Sequence, residues 1–273
     1  MASAAAAAHT EGHGVAEGSG TQSPEIGFGV DIGGSGIKGA AVDYSTGEFT
    51  TDRIKIETPR PATPDAVAET VARLLDEAGW EGPVGLTVPA VVRNQTAESA
   101  ANIDPTWIGT DVDELFHRHL GRDRTITVLN DADAAGIAEV TYGDPRARSG
   151  SVIMLTFGTG IGSALLMDGH LFPNTELGHF PYANGETETW ASSAVRDREE
   201  LSYKEWAKRV DGVLHEFRRL FSPGTFIVGG GISRKAEKWI PHLTVDAEVV
   251  PAELRNRAGI VGAALAVRDG LRP

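Results

Sequence analysis

The chain has 273 residues, 41% of them hydrophobic, which is enough apolar side chain to fill the core of two modest domains or one large one. Its formal net charge of −13 repels polyanions at long range, and this argues against nucleic acid or an anionic membrane as a partner. Cysteine is absent, so the sequence excludes disulfides and thiolate metal sites and fits a reducing compartment.

The chain begins with a segment that we expect to be disordered. Residues 1–24 are dominated by Ala, Gly, Ser and Glu, with almost no large apolar side chain to offset the entropy lost on folding. This segment lacks the basic lead and apolar core of an export signal, and no apolar run approaches the roughly 18 residues of a membrane-spanning helix. We therefore expect a cytoplasmic protein with no membrane partner.

Hydrophobic periodicity predicts two successive α/β units after this tail. In the first unit, strands at 26–32, 37–43 and 49–57 precede a helix at 64–78, strands at 84–88 and 125–129 and a helix at 132–142. In the second unit, strands at 151–157 and 163–167 precede a helix at 203–221, a strand at 225–228 and a final helix at 259–268. We predict two lobes, 25–130 and 131–273, with a ligand cleft between them and a last helix that can pack back on the first lobe.

Two glycine-rich turns in these units carry much the same strand-turn-strand pattern. They read GVDIGGSGIKGAAVDY from Gly29 and MLTFGTGIGSALLMDG from Met154, and Gly33 aligns with Gly158 at an offset of 125 residues. Either turn alone fits an ordinary hairpin. Glycine also lets backbone N–H groups approach an anion closely, so two facing hairpins of this kind favour a clamp for a polyphosphate chain. A third glycine run, VGGGIS from Val228, leaves bare backbone for a flat or phosphorylated group.

Polar side chains at two further places are candidates for chemistry. Asn130 and Asp131 stand where a predicted strand meets a helix, so a carboxylate there can accept a hydroxyl proton, although Asp131 is equally suited to capping that helix. Glu176 and His179 would face the same way on a helical turn. Such a pair suits a ligand with adjacent hydroxyls, such as a sugar, but a helix-start acid and a hydrogen-bonded histidine would give the same pattern.

Charged residues near the turns leave two interpretations open. Asp31, before the first glycine turn, can hold Mg²⁺ through water or simply stabilise the turn. Lys204 and Lys208 share one face of the predicted helix at 203–221, and they either line a path for a polyanion or are merely solvated.

Taken together, five motifs resemble the ROK family of sugar kinases, and in particular its polyphosphate-dependent glucokinases, including the kind that accepts polyphosphate or ATP. The motifs are DIGGSGIKGA at Asp31, the Asn130-Asp131 pair, LTFGTGIGSALLMDG at Leu155, ELGH at Glu176 and GGGIS at Gly229. The resemblance runs from about residue 26 to residue 266. It implies an actin-like, ribonuclease-H-like α/β fold with two lobes and a central cleft, and phosphorylation of the 6-hydroxyl of glucose or also of mannose.

The resemblance also implies a role for each motif. Asp131 matches the catalytic base, Asn130 a neighbouring sugar ligand, and Glu176 and His179 the sugar-binding pair. The segment ETWAS implies a third acidic sugar contact at Glu188, and AANID implies a further sugar ligand at Asn102. The donor, ATP or inorganic polyphosphate with Mg²⁺ near Asp31, is expected to contact Asp31, Gly33, Gly34, Ser35, Gly36, Lys38, Thr156, Gly158, Thr159, Gly160, Gly229, Gly230 and Gly231.

One departure from the family concerns zinc. Many members carry a cysteine cluster between the ELGH motif and the later glutamate, whereas here the stretch reads FPYANGET, so we expect no zinc and expect Phe180, Tyr182 and Trp190 to order this loop. Sugar-responsive repressors of the family need a helix-turn-helix before the DIGG motif, and only the short predicted tail precedes it here. A non-catalytic hexose sensor remains an alternative, and the sequence is compatible with a monomer or a homodimer.

Overall fold

The computed structural model describes residues 25–100 and 103–273, so the predicted tail and Asn102 lie outside the described residues. The strands are β1 Ile26–Gly33, β2 Gly36–Asp43, β3 Ile54–Ile56, β4 Val84–Val88, β5 Val92–Arg93, β6 Thr96–Ala97, β7 Ile126–Asn130, β8 Ser151–Phe157, β9 Ile161–Met167, β10 His170–Phe172, β11 Pro181–Tyr182, β12 Gly185–Glu186, β13 Thr225–Gly229 and β14 Glu248–Pro251. The α-helices are α1 Pro64–Ala78, α2 Val112–Leu120, α3 Asp131–Tyr142, α4 Thr187–Ala191, α5 Ser193–Arg198, α6 Tyr203–Phe221 and α7 Ala258–Arg268.

The sequence repeat is a repeat of topology. One five-stranded sheet has the order β3-β2-β1-β4-β7, and the other has the corresponding order β10-β9-β8-β13-β14. Each begins with an antiparallel hairpin closed by a glycine turn, and each continues through two parallel strands. The carboxyl ends of the parallel strands therefore meet the glycine turns in both sheets, which is where α/β proteins bind ligands.

Two helices, α3 and α7, lie between the sheets. They contribute the centre of one apolar core together with Met154, Ala164 and Leu166 of the second sheet, and α7 also packs on β1 and β4 of the first sheet. This packing requires glycine, because a Cβ at Gly85 would lie 1.7 Å from the carbonyl oxygen of Ala263. The last helix of the chain thus joins the first sheet to the second.

The outer faces of the two sheets carry separate cores. Helices α1 and α2 cover the first sheet around the buried Trp107 and Phe116. Helix α6 covers the second sheet around Trp206 and Phe217. The molecule therefore has five layers: α1 and α2, the first sheet, α3 with α7, the second sheet, and α6. The cleft opens where the two glycine hairpins face α3.

The predicted elements differ from the observed ones in a few places. The predicted strand at 49–57 is reduced to β3, because only Ile54–Ile56 pairs with β2, and Phe49 makes an isolated bridge to Val42. Helix α2 was missed, although Asp111 caps the N–H of Glu114 at 2.9 Å and the pattern Asp-x-x-Glu is a helix-start signal. Among the described residues, no helix combines the length and apolarity that crossing a bilayer requires.

Candidate active site

Two adjoining cavities lie in the cleft. The larger cavity, about 780 Å³, extends over the Asn130-Asp131 corner, the second glycine turn and the segment that carries Glu176. The smaller cavity, about 270 Å³, extends over Asp31, Lys38 and the third glycine run. Their common wall contains Asp131, Ala132, Thr156 and Gly230. Asp131 is therefore accessible from both cavities.

The corner at Asn130 shows which residue caps α3. The N-cap of α3 is Asn130, whose Oδ1 accepts hydrogen bonds from the N–H groups of Ala132 at 2.8 Å and Asp133 at 3.2 Å. Its Nδ2 donates to the carbonyl of Ala90 at 3.2 Å, which leaves one amide hydrogen for a ligand. Because Asn130 caps the helix, the Asp131 carboxylate is free to face the cavities, with one local bond from the N–H of Ala132.

The chemistry of Asp131 is set by its surroundings. Desolvation and the nearby carboxylate of Asp31 raise the pKa of Asp131 to about 6, with a smaller contribution from Glu176. A carboxylate with this pKa is still ionised at neutral pH, and it is a stronger base than an ordinary aspartate. The group thus combines access to both cavities with the basicity needed to take a hydroxyl proton.

Asp133, in the first turn of α3, was not found from the sequence. Its side chain is fully buried, Oδ2 accepts from the N–H of Asn174 at 2.8 Å, and Oδ1 has no hydrogen-bond partner among the described residues. Burial raises the pKa of Asp133 to about 7, and the charges of Glu176 and Asp131 add to this effect. The protonated form of this carboxyl group is therefore appreciably populated at neutral pH.

Asn174, also missed from the sequence, ties the two lobes together beside the larger cavity. Its Oδ1 accepts from the N–H of Val92 at 2.9 Å, and its Nδ2 donates to the carbonyl of Val92 at 2.7 Å. The backbone at Asn174 is left-handed, with φ of 60°, a conformation that asparagine tolerates better than most residues. Ser163 holds the next turn by donating to Thr175 O at 2.6 Å and accepting from Leu177 N at 2.9 Å. These bonds fix the segment that presents Glu176.

Glu176, His179 and Glu188 meet at the far side of the larger cavity. Glu176 precedes a 3₁₀ turn at Leu177–His179, so the predicted helical turn is present, and desolvation raises the pKa of Glu176. A hydrogen bond of 2.9 Å from His179 Nδ1 to Glu186 raises the pKa of His179. Glu188, the second residue of α4, accepts a hydrogen bond from the N–H of Ile161 at 3.2 Å, which attaches it to the second glycine turn.

The first glycine turn carries a charged cluster. Asp31 accepts from the hydroxyl of Thr87 at 3.1 Å and lies 3.5 Å from Lys38 Nζ. Thr87 also accepts from the N–H of Ile32 at 3.2 Å, so it holds Asp31 in place. Gly33 and Gly34 line the larger cavity, whereas the other expected members of this turn, Ser35 and Gly36, line neither cavity.

The second and third glycine runs approach each other. Gly158, Thr159 and Gly160 line the larger cavity, and Gly229, Gly230 and Gly231 line the smaller one. Gly230 has φ of 82°, and a Cβ there would lie 2.2 Å from the carbonyl oxygen of Phe157, so only glycine fits this approach. Thr156 lines both cavities from the end of β8. The expected donor residues other than Ser35 and Gly36 thus surround the two cavities.

Aromatic packing orders the loop that follows the ELGH motif. Phe180 contacts Phe217 edge-on with ring centroids 5.7 Å apart, and Tyr182 lies 6.4 Å from Trp190. Arg209 stacks on Trp190 at 4.5 Å. His179, Glu186 and Glu188 form a separate cluster. One potential metal-ligand atom from each side chain lies within 4.8 Å of the other two.

The duplicated topology and the cleft between its halves define the class of actin-like, ribonuclease-H-like proteins. Within that class the chain belongs to the ROK family, whose model matches residues 27–194. The family expectation drawn from the five motifs is therefore confirmed, and so is the expected fold.

Individual relatives show which members of the family the chain is similar to. The chain is 51% identical over 240 residues to a polyphosphate glucokinase of Mycobacterium tuberculosis, covering 88% of this chain and 90% of that protein. It superposes on an inorganic polyphosphate/ATP-glucomannokinase from Arthrobacter sp. strain KM with a TM-score of 0.82 and 44% identity, covering 92% of this chain and all of the other. A ROK family glucokinase from Streptomyces griseus, solved with glucose and AMPPNP, has a TM-score of 0.75 at 24% identity over 90% of this chain and all of the other, which supports the fold.

Proposed function

We propose that this protein is a hexose kinase that transfers a phosphoryl group from inorganic polyphosphate or ATP to the 6-hydroxyl of glucose. The observation that carries the proposal is the position of Asp131 on the wall shared by the two cavities. The Mycobacterium and Arthrobacter relatives support this substrate pair, and the second of them supports mannose as a further acceptor. We assign the hexose to the far wall of the larger cavity, and the donor to the smaller cavity together with the adjoining glycine turns of the larger one.

The proposed mechanism assigns the hexose contacts to the far wall of the larger cavity. Glu176, His179 and Glu188 form hydrogen bonds with the sugar hydroxyls. The free amide hydrogen of Asn130 is donated to one further hydroxyl. Asn102 remains a proposed sugar ligand from the family resemblance. These contacts hold the 6-hydroxyl against Asp131, whose carboxylate removes the proton as the oxygen attacks the terminal phosphorus. The P–O bond to the rest of the donor breaks, and ADP or a polyphosphate one unit shorter leaves. Holding the reactants in this way supplies much of the catalysis in phosphoryl transfer.

The donor is held by backbone N–H groups of the glycine turns and by cations. Lys38, Arg234 and Arg255 contribute positive charge around the smaller cavity, although Lys38 is shared with Asp31. The residues present fit Mg²⁺, since Asp31 offers a carboxylate beside the donor and this ion favours one or two carboxylates with phosphate oxygens. When bound, the ion would offset negative charge on the phosphoryl oxygens.

Substitution of the base tests the mechanism. We expect Asp131→Asn to lower kcat by at least roughly 10²-fold, because a general base typically contributes about 10² to 10⁴. Glucose affinity should change little, since the other sugar contacts remain. Steady-state kinetics and glucose titration measure the two quantities, and Asp123→Asn, a change at an exposed loop position, is the matched control. Near-normal turnover of Asp131→Asn would remove this residue from the role of base.

A non-catalytic hexose sensor on the same fold is the rival function. Glucose-dependent consumption of ATP or polyphosphate separates the two, because a sensor binds glucose without consuming either donor. We further propose a cytoplasmic monomer or homodimer without nucleic acid, membrane or zinc as partner. Light scattering of the purified protein measures the oligomeric state, and metal analysis checks the zinc content.

A further inference from the structure

Two segments lead away from the wall between the cavities. Helix α5 starts beside the second glycine turn, where the Ala194 N–H at 3.1 Å and the Ser193 hydroxyl at 2.9 Å both donate to the carbonyl of Gly158. A basic 3₁₀ segment, Gly231–Lys238, starts directly after Gly230 at the wall of the smaller cavity. Both segments therefore begin where the donor is proposed to bind.

The two segments meet again at Tyr203, the first residue of α6. The guanidinium carbon of Arg196, from α5, lies 4.1 Å from the centroid of the Tyr203 ring. Lys238 Nζ, from the basic 3₁₀ segment, lies 5.4 Å from the same centroid. Cation–π attraction thus holds one cation from each segment on one aromatic ring. Arg196 also pairs with Asp197 at 2.6 Å, whereas Lys238 is exposed.

The charge of the basic 3₁₀ segment is largely unneutralised. It contains Arg234, Lys235 and Lys238 against a single acid, Glu237. None of the three basic residues forms an ion pair with any of the described residues. In a chain with a net charge of −13, free cations that start at the donor cavity are the local attraction that a polyanion needs.

We propose that Arg234, Lys235, Lys238 and Arg196 form a subsite for the part of an inorganic polyphosphate chain that extends beyond the smaller cavity. Arg234 lines that cavity, and Lys238 and Arg196 continue the positive surface to Tyr203. Exposed lysines bind successive phosphates as point charges without requiring one fixed geometry. ATP has only three phosphates and ends in a nucleoside, so it does not reach the part of this surface that lies beyond Arg234. The inference rests on the proposed function, because polyphosphate must be a donor.

This route differs from the one that the sequence suggested along α6. Lys204 and Lys208 are exposed on that helix but line neither cavity. Lys204 is next to Tyr203 in sequence, so it can lie near the end of the proposed subsite. Lys208, one turn further along α6, therefore serves to test the alternative route.

The test compares donors in the full chain. We expect Lys238→Glu and Lys235→Glu each to reduce kcat/KM for long-chain polyphosphate by roughly tenfold or more, with ATP kinetics within about twofold of wild type. The loss should shrink as the chain is shortened toward tripolyphosphate, because a short chain ends within the smaller cavity. Lys238→Gln should reduce the slope of log KM for long chains against log salt by about one, as for one lost phosphate contact.

Controls separate the possible outcomes. Arg53→Glu makes the same change in net charge at an exposed position that lines neither cavity, and it should leave both donors unaffected. Equal losses with ATP and polyphosphate, or a loss in Lys208→Glu but not in Lys238→Glu, would overturn the subsite. If the wild-type protein phosphorylates glucose from ATP but not from polyphosphate, then the proposed donor itself is wrong. If wild type uses long chains and Lys238→Glu does so equally well, only the subsite fails.

Discussion

At the scale of single residues, the buried carboxyl group of Asp133 leads to a prediction about how stability depends on pH. Its pKa is about 7 in the fold, against the ordinary value of 3.8, so the native state binds a proton that the unfolded chain has lost. The contribution of Asp133 to stability is therefore complete below about pH 4 and is lost as pH rises through 7. Asp133→Asn removes this loss, so its Tm should exceed that of wild type by several degrees at pH 8.

The comparison is made by thermal melts between pH 5 and pH 8. The Tm difference between Asp133→Asn and wild type should grow with pH up to about pH 7 and level off above it, because between the two pKa values only the unfolded chain has lost the proton. Asp123→Asn, at an exposed position, should show a difference near zero throughout. A constant offset between Asp133→Asn and wild type would contradict the assigned protonation of Asp133.

Asp131 makes a second prediction, about the pH dependence of catalysis. A base must be ionised, and the pKa of Asp131 is raised to about 6, mainly by desolvation. We therefore expect kcat/KM for glucose to fall below about pH 6 with a slope of one proton, whereas an unperturbed aspartate would place this limb near pH 4. The measurement is a pH profile at saturating donor. The Asp133→Asn variant should show the same fall in kcat/KM at low pH. If this fall is absent from the pH profile of the variant, then Asp133 rather than Asp131 is the group that titrates.

The residues that the sequence did not reveal share one property. Thr87 bonds to Asp31 over 56 positions, Asn174 to Val92 over 82 and Asp133 to Asn174 over 41. No local pattern encodes such partners, since each depends on which segments the fold brings together. Asp131, by contrast, could be proposed as a base from the sequence, because a strand-to-helix junction is a local pattern. The capping role that competed for Asp131 is taken by its neighbour Asn130.

At the scale of elements, the contact between α3 and α7 predicts a strict requirement for glycine. A Cβ at Gly262 of α7 would lie 1.7 Å from the carbonyl oxygen of Ala134 of α3. Alanine stabilises a helix by about 1 kcal/mol relative to glycine. Forcing a side chain against neighbouring backbone, however, typically costs about 1–3 kcal/mol or more of stability. We expect Gly262→Ala to lower Tm by at least about 3 °C.

Gly224→Ala is the matched control for this substitution. Its Cβ would meet only Ser151 O at 3.8 Å, an ordinary contact, so its Tm should be unchanged or slightly raised. Differential scanning fluorimetry with both variants makes the comparison. Unchanged Tm in Gly262→Ala would mean that the two helices can separate, and the lobes would then be less firmly joined than the packing implies.

Element prediction from the sequence depended on how much of each element is buried. Helices α1 and α6 and strands β4 and β8 were predicted with the observed bounds, because each has a strong apolar periodicity or a continuous buried run. The edge strands β10 and β14 and helix α2 were missed. They are short, and their stability comes from pairing or packing with distant segments rather than from their own pattern.

At the scale of the whole molecule, the sequence repeat predicted the architecture. The offset of 125 residues between the two glycine turns corresponds to two sheets of the same strand order. The repeat could not specify how the halves are joined, because that depends on close backbone approaches such as Gly85 to Ala263. It also could not reveal the side-chain tie at Asn174, which crosses from one lobe to the other.

The hydrogen bonds of Asn174 lead to the last prediction. Asn174 links the β5 segment at Val92 to the start of α3 at Asp133, and it precedes Glu176 by two residues. Glycine tolerates its φ of 60°, so Asn174→Gly removes the two side-chain bonds without straining the backbone. Loss of two partly buried hydrogen bonds costs on the order of 1–3 kcal/mol. We expect roughly a tenfold rise in the KM for glucose, because the walls of the larger cavity are no longer held together.

The KM for ATP should change by less than about twofold in Asn174→Gly, since the smaller cavity does not include this loop. Steady-state kinetics with each substrate varied in turn separate the two effects. Asn184→Gly, at the exposed turn between β11 and β12, makes the same chemical change away from the tie and should leave both KM values as in wild type. Equal rises in the KM for glucose and for ATP would show that Asn174 supports the whole cleft, whereas a rise confined to glucose locates its effect at the wall that presents Glu176.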